Sequence, residues 1–320
     1  MSVETSFANA TAVAPIDNHT YSVNFPDDWC IGSVPHGGFV TSAFLSVVAM
    51  HFRTTLSKQN QPHTMILHLD FVRRTQAGPA QFKVRDVKLG RQTSTIHVTL
   101  SQGPREEVLG YITHGNLETQ IGPSFLTNFS LTPAAVPADI VLLRKNTDPS
   151  WALQENMPFA NFRKAIRKVK IFFPRRGQYH PSMSDQWISF ANGERFTNES
   201  LGYVADTFPQ LVEGYLNRDP HDVDLADGDS IRAKSKAAMY WYPTLALGLD
   251  FKKALPPEGV DWLFTRVRSK SIQNGKLDLE VIIMDEQDRL IALSHHVSMV
   301  VPASRNLASR RDSERNKSQL

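Results

Sequence analysis

At 320 residues, 41% apolar and only +3 in net charge, the chain can bury a full core and is too evenly charged for a dedicated nucleic-acid protein. Its single cysteine, Cys30, excludes an intramolecular disulfide and fits a reducing compartment; a packed thiol is the simpler reading of it than a nucleophile served by His36. Neither CxxC nor HExxH spacing occurs, so no metal and no cofactor are expected.

No apolar run reaches membrane-spanning length, and the first fifteen residues lack the basic start and apolar core of a secretory signal. A cytoplasmic protein is the expectation. The end, Ser318-Gln319-Leu320, differs by one residue from a peroxisomal Ser-Lys-Leu address, and the polar stretch before it reads as a disordered tail over 303–320.

In chain order, His19 to Pro26 reads as a strand and Trp29 to Gly32 as a turn. Pro35-His36-Gly37-Gly38-Phe39 then opens a helix to about Leu56, with Val40, Ala43, Phe44, Val47, Val48 and Phe52 at helical spacing and Thr41, Ser42 and Ser46 keeping the other face small. Such a helix is buried nearly all round. The paired glycines allow a backbone or a ligand to approach the free amides of the first turn, a candidate oxyanion site; close packing is the other reading. Four strands follow, His63 to Arg74, Gln81 to Leu89, Thr93 to Ser101 and Glu107 to Asn116, and the short gaps between most of them make neighbours antiparallel.

Prolines 123, 133, 137, 149 and 158 punctuate residues 117–161, read as a linker over the surface with a short helix within Val136 to Arg144. The second half repeats the order. Lys164 to Phe173 and Ser184 to Phe190 read as strands, Asn198 to Asn217 as a helix, and Ala237 to Tyr242, Trp262 to Lys270, Lys276 to Asp285 and Arg289 to Val301 as four strands. Aligning the closing hairpins by eye places His114 and His296 at matching positions. The division expected is 18–116, an N-terminal domain; 117–161, a linker; and 162–302, a C-terminal domain.

Four stretches carry a resemblance: Pro35-His36-Gly37-Gly38-Phe39, the His68 to Arg74 strand with Arg73-Arg74, the turn Gly90-Arg91-Gln92-Thr93-Ser94, and Leu201-Gly202-Tyr203-Val204-Ala205-Asp206. Together they resemble the double-hotdog acyl-CoA thioesterase-like family, especially its filamentous fungal members, over residues 18 to 302. The resemblance implies an α+β fold: two antiparallel sheets, each wrapped around a long buried helix, forming a pseudo-dimer. It implies an acyl-CoA or acyl-carrier thioester as substrate, and edge-to-edge sheets leave a homo-oligomer open.

Asp206 is a carboxylate in an otherwise apolar helical pattern, where it must be solvated, paired or poised for chemistry. Local pairing near Arg195 or Tyr240 is the structural alternative. The family carries an aspartate there that orients or deprotonates the attacking water, and a threonine matching Thr244 that helps to hold it. His296 falls near the position of the family's glutamine in bacterial members, a departure that exchanges an amide for a group able to titrate near neutral pH. With Gly37 and Gly38 as oxyanion donors, and His36 at the acyl group or capping the helix, the expected activity is thioester hydrolysis. A dehydratase, isomerase or cyclase of a secondary-metabolite pathway, or a non-catalytic acyl-binding protein, is the alternative. No Gly-x-Ser-x-Gly elbow is present to support an α/β-hydrolase. The basic run Arg163, Lys164, Arg167, Lys168, Lys170, Arg175 and Arg176 is either a solvated strand face or a contact for coenzyme A phosphates.

Overall fold

The computed structural model describes residues 4–119, 121–216 and 240–308. The main helix, α1 (Gly37–Arg53), starts where His36 caps it: the ring Nδ1 accepts from the Phe39 N–H at 3.3 Å. Its residues from Gly38 to Leu45 are all buried, as the small and apolar texture requires.

Around it lie β1 (Ala14–Pro15), β2 (Thr20–Phe25), β3 (His63–Phe71), β4 (Gly78–Lys88), β5 (Thr93–Gln102) and β6 (Arg105–Gly115). The second half supplies β7 (Trp151–Leu153), β8 (Val169–Pro174), β9 (Met183–Phe190), β10 (Thr244–Phe251), β11 (Leu263–Arg268), β12 (Ile272–Gln273), β13 (Lys276–Met284) and β14 (Leu290–Met299). Among the described residues these form one antiparallel sheet, not two, in the order β1-β2-β4-β5-β6-β3-β10-β14-β13-β11-β9-β8-β7, with β12 on β13. The halves join where β10 pairs with β3, His68 opposite Gly248. Each half has the same internal order, β2-β4-β5-β6-β3 and β9-β11-β13-β14-β10, which is the signature of a duplicated unit.

The bulges correct the alignment of the halves. β3 skips Met65 and β10 skips Leu245, while β6 skips Glu107 and β14 skips Ile291. Superposing these irregularities makes Ser298, opposite Thr244, the counterpart of His114, opposite Thr64; His296 corresponds to Ile112. The alignment by eye was two residues out of register.

The second-half helix is short and broken: α2 is the linker helix Ile140–Arg144, and the expected helix becomes α3 (Leu201–Ala205) and α4 (Leu211–Leu216). The first piece closes with tight bonds from the Asp206 and Thr207 amides to the Tyr203 and Val204 carbonyls, and Pro209 in the gap has no N–H with which to continue the ladder. Strand β10, centre of the join, is absent from the sequence reading because Pro243 and Gly248 disguise its alternation. Tyr240–Trp241 pairs with Val301–Pro302, and residues 237–239 and Asn217 lie outside the described residues.

The linker does more than cross the surface. Leu143 and Trp151 are fully buried in a second apolar cluster with Phe172, Trp187, Trp262, Phe264 and Met284, on the opposite face of the C-terminal sheet from the main core. The first residues of the expected tail are also structured: α5 (Ser304–Leu307) carries Asn306, which is fully buried. Its Oδ1 accepts from the Ser33 N–H at 2.9 Å, its Nδ2 donates to the Ile31 carbonyl at 2.8 Å, and Arg74 donates to the carbonyls of residues 305, 306 and 308.

Candidate active site

Helices α1 and α3 cross backbone to backbone. A Cβ on Gly38 would lie 2.6 Å from both Asp206 Cβ and the Gly202 carbonyl, and one on Gly202 would lie 2.8 Å from the Ser42 nitrogen. Only glycine fits at either position. Asp206, the residue at which α3 ends, is thereby set against the first turn of α1.

Its Oδ2 accepts from the Gly38 N–H at 2.7 Å. The expected oxyanion pair is therefore split: the Gly38 amide fixes the carboxylate, aided by the partial positive charge of the helix start, and the Gly37 N–H has no partner among the described residues. Over Gly37 a single point lies 2.9 Å from Asp206 Oδ2, 3.5 Å from Thr244 Oγ1 and 3.8 Å from the Phe71 ring. Among the described residues no arginine or tyrosine partners Asp206, and Arg195 pairs instead with Asp261 at 2.9 Å.

Two histidines complete the group. His36 Nε2 lies 3.0 Å from the Asp206 carbonyl and 3.5 Å from Oδ2; because Nδ1 accepts from Phe39, the proton is assigned to Nε2. Burial holds His36 below the usual histidine range against the pull of Asp206. His295 is exposed and His296 fully buried, as strand alternation demands. Ser294 donates to the Gly248 carbonyl at 2.6 Å, so at 2.8 Å its Oγ accepts from His296 Nε2. That leaves Nδ1 as a buried acceptor with no hydrogen-bond partner among the described residues, 3.7 Å from Asp206 Oδ1. Burial, partly offset by Asp206, pushes the His296 pKa down to about 4, so it does not titrate near neutral pH. It is uncharged at pH 7.

All six candidate residues thus meet: His36, Gly37, Gly38, Asp206, Thr244 and His296. The sequence reading missed Ser294, although a hydroxyl two residues before His296 necessarily shares its face. It also missed Gln186, whose Nε2 donates to the Thr207 carbonyl at 2.5 Å and whose Oε1 is buried with no partner among the described residues. Cys30 is buried, with its pKa raised to about 12 by desolvation, and is no nucleophile. Only Lys170 of the basic run lies exposed on a strand, β8: Lys164–Lys168 is a 3-10 turn, Arg163 pairs with Glu213, Lys164 with Asp27, and Lys168 with Asp28.

The duplicated half repeats the cradle without the carboxylate. Where the Gly38 N–H meets Asp206, the Tyr203 N–H meets Ser42 Oγ at 2.8 Å across the same crossing. A hydroxyl accepts the bond but is too weak a base to activate water.

Two copies of a sheet wrapped on a central helix, fused through β3 and β10 with one carboxylate at the crossing, define a double-hotdog protein. Residues 25–115 match the acyl-CoA thioesterase N-terminal domain and residues 137–300 its C-terminal domain; the chain belongs to the acyl-CoA thioesterase family. The thioesterase-like protein TwmA of Talaromyces wortmannii is 35% identical, over 97% of this chain and 96% of its own. A hot dog fold protein of unknown function from Alicyclobacillus acidocaldarius superposes with a TM-score of 0.67 at 15% identity, covering 93% of this chain and 99% of that one. The CurJ dehydratase superposes with a TM-score of 0.51 at 8% identity, covering 95% and 100%. The architecture alone does not choose the reaction.

Proposed function

We propose that the chain hydrolyses an acyl-CoA or acyl-carrier thioester. The observation that carries this is the pairing of a carboxylate pinned at one oxygen with the unpartnered Nδ1 of a neutral, buried His296 facing the other at 3.7 Å. A water set between them donates one hydrogen to each, and its lone pair is free for the thioester carbonyl. Thr244 Oγ1 borders the same space and helps to hold that water. Asp206 takes the proton as the C–O bond forms, the Gly37 N–H receives the developing oxyanion, and the thiolate leaves with the proton that Asp206 returns.

The panel that tests this is acyl-CoAs of graded chain length, with free thiol as readout. Asp206→Asn keeps the Gly38 bond and removes the base, so activity should fall by at least about 100-fold. Absence of thiol release at every chain length, or full activity in Asp206→Asn, sinks the reading.

The inner face of the C-terminal sheet bears on the acyl group. Among the described residues Ser184 Oγ, Gln186 Oε1 and Thr265 Oγ1 are buried without partners, an arrangement costly beside a plain alkyl chain and matched by one bearing hydroxyl or carbonyl oxygens. Adding 3-hydroxyacyl and 3-oxoacyl thioesters to the panel should reveal faster turnover than with the saturated chains.

The His36 and Asp206 pair supports a second reading, dehydration of a 3-hydroxyacyl thioester, since two titratable groups 3.5 Å apart can remove and deliver a proton. Enoyl product with the thioester intact would establish it. Binding without either product would favour the acyl-binding protein.

A further inference from the structure

A second cluster of reactive side chains lies at the other end of α1, away from Asp206. His51, in the last turn of that helix, is fully buried, with Nε2 3.1 Å from Asp86 Oδ1 on β4. His19, just before β2, places its Nε2 3.3 Å from Asp86 Oδ2. One ligand atom from each residue lies within 4.8 Å of the others. Among the described residues Asp86 forms ion pairs with these two histidines and with no lysine or arginine.

We propose that His19, His51 and Asp86 form a binding site for a divalent transition metal of the zinc class, with a fourth position open to solvent. Metal bonds of about 2.0 to 2.1 Å in a tetrahedron separate neighbouring ligand atoms by about 3.3 to 3.4 Å, close to both observed nitrogen–oxygen spacings. An ion on Nε2 of two imidazoles stands roughly 3.2 Å from each ring centre, which puts those centres about 5.2 Å apart at the tetrahedral angle. The His19 and His51 rings are 5.2 Å apart and inclined at 60°.

The surroundings suit a ligand set as well. The Tyr21 hydroxyl lies 2.9 Å from His51 Nδ1, the outer hydrogen bond that fixes a metal-binding imidazole in orientation. Asp17, whose side chain accepts from the His19 N–H at 2.8 Å, adds negative charge on the entry side. His19 is 47% exposed and Asp86 25%, which leaves a path for an ion. No sequence motif reveals the set, because its members come from the approach to β2, the end of α1 and β4. A bound ion would tie these three elements together, and the site stands whether or not the chain hydrolyses thioesters.

The full-length chain, stripped with a chelator and exchanged into chelator-free buffer, is titrated with Co2+ by visible absorption and with Zn2+ by calorimetry. One ion per chain should bind, with the intense visible bands of four-coordinate cobalt and a rise in melting temperature on adding zinc. His19→Gln and Asp86→Asn, each at a solvent-accessible position, should weaken binding by at least about tenfold while the metal-free protein keeps its melting temperature. Absence of saturable binding, or binding unchanged in both variants, overturns the site and leaves a hydrogen-bonded triad in its place.

Discussion

In the proposed mechanism Asp206 and His296 hold a water between them, because Asp206 Oδ2 and His296 Nε2 are partnered while Oδ1 and Nδ1 face each other at 3.7 Å. The neutral state of His296 has a measurable cost. Its pKa of about 4 in the folded chain lies below the unfolded value near 6.5, so the unfolded chain binds the extra proton first as pH falls. Stability is therefore constant above about pH 6.5 and declines between there and about pH 4, by on the order of 3 kcal/mol from this residue. Urea unfolding at pH 5 and pH 7 should show a smaller difference for His296→Gln than for the parent chain. That variant also restores a neutral amide, and turnover should stay within about tenfold. The carboxylate and both glycines were legible in the sequence as a misplaced charge and a bare first turn. The environment of His296 was not, since periodicity assigns a face but does not give the depth or the neighbours that set a pKa.

The start of α1 is braced from behind by an element that composition had assigned to disorder. Gly32, at φ +60°, leaves no room for a Cβ: one would sit 2.1 Å from Asn306 Oδ1. Asn306 fills that space and bonds to Ile31 and Ser33, five and three residues ahead of His36. Asn306→Ala should strand the Ser33 amide and the Ile31 carbonyl, cost about 1 to 3 kcal/mol, and lower turnover by loosening His36 and Gly37. Thermal unfolding and thiol-release assays on the one variant check both. A highly charged segment reads as tail because its few anchoring groups, Asn306 and the carbonyls held by Arg74, are polar and single. The broken second helix teaches the reverse: Leu201, Val204, Phe208 and Leu211 keep a helical period across Pro209, and the period outlived the helix.

Across the whole molecule, the two faces of the sheet are treated differently in the two halves. Over the C-terminal half the linker lies on the outer face, fastened where Arg266 donates to the Pro133 carbonyl while holding Asp185 at 2.6 Å through two nitrogens. Over the N-terminal half Ile66 and Tyr111 on the outer face stay exposed. Arg266→Ala should cost about 3 to 5 kcal/mol by leaving Asp185 buried and unpaired. It should also free the segment around Pro133, so that limited proteolysis cuts within residues 121–153 well before the parent chain is cut. The duplication was readable from element order, but the fusion into one sheet was not, because it rests on β10, a strand interrupted by glycine. The serine that faces Tyr203 in the repeated cradle fixes a count. A symmetric pair of halves would turn over two acyl groups, whereas the proposed mechanism gives this chain one centre, so titration with a tight-binding, non-hydrolysable thioester analogue should saturate at one equivalent per polypeptide.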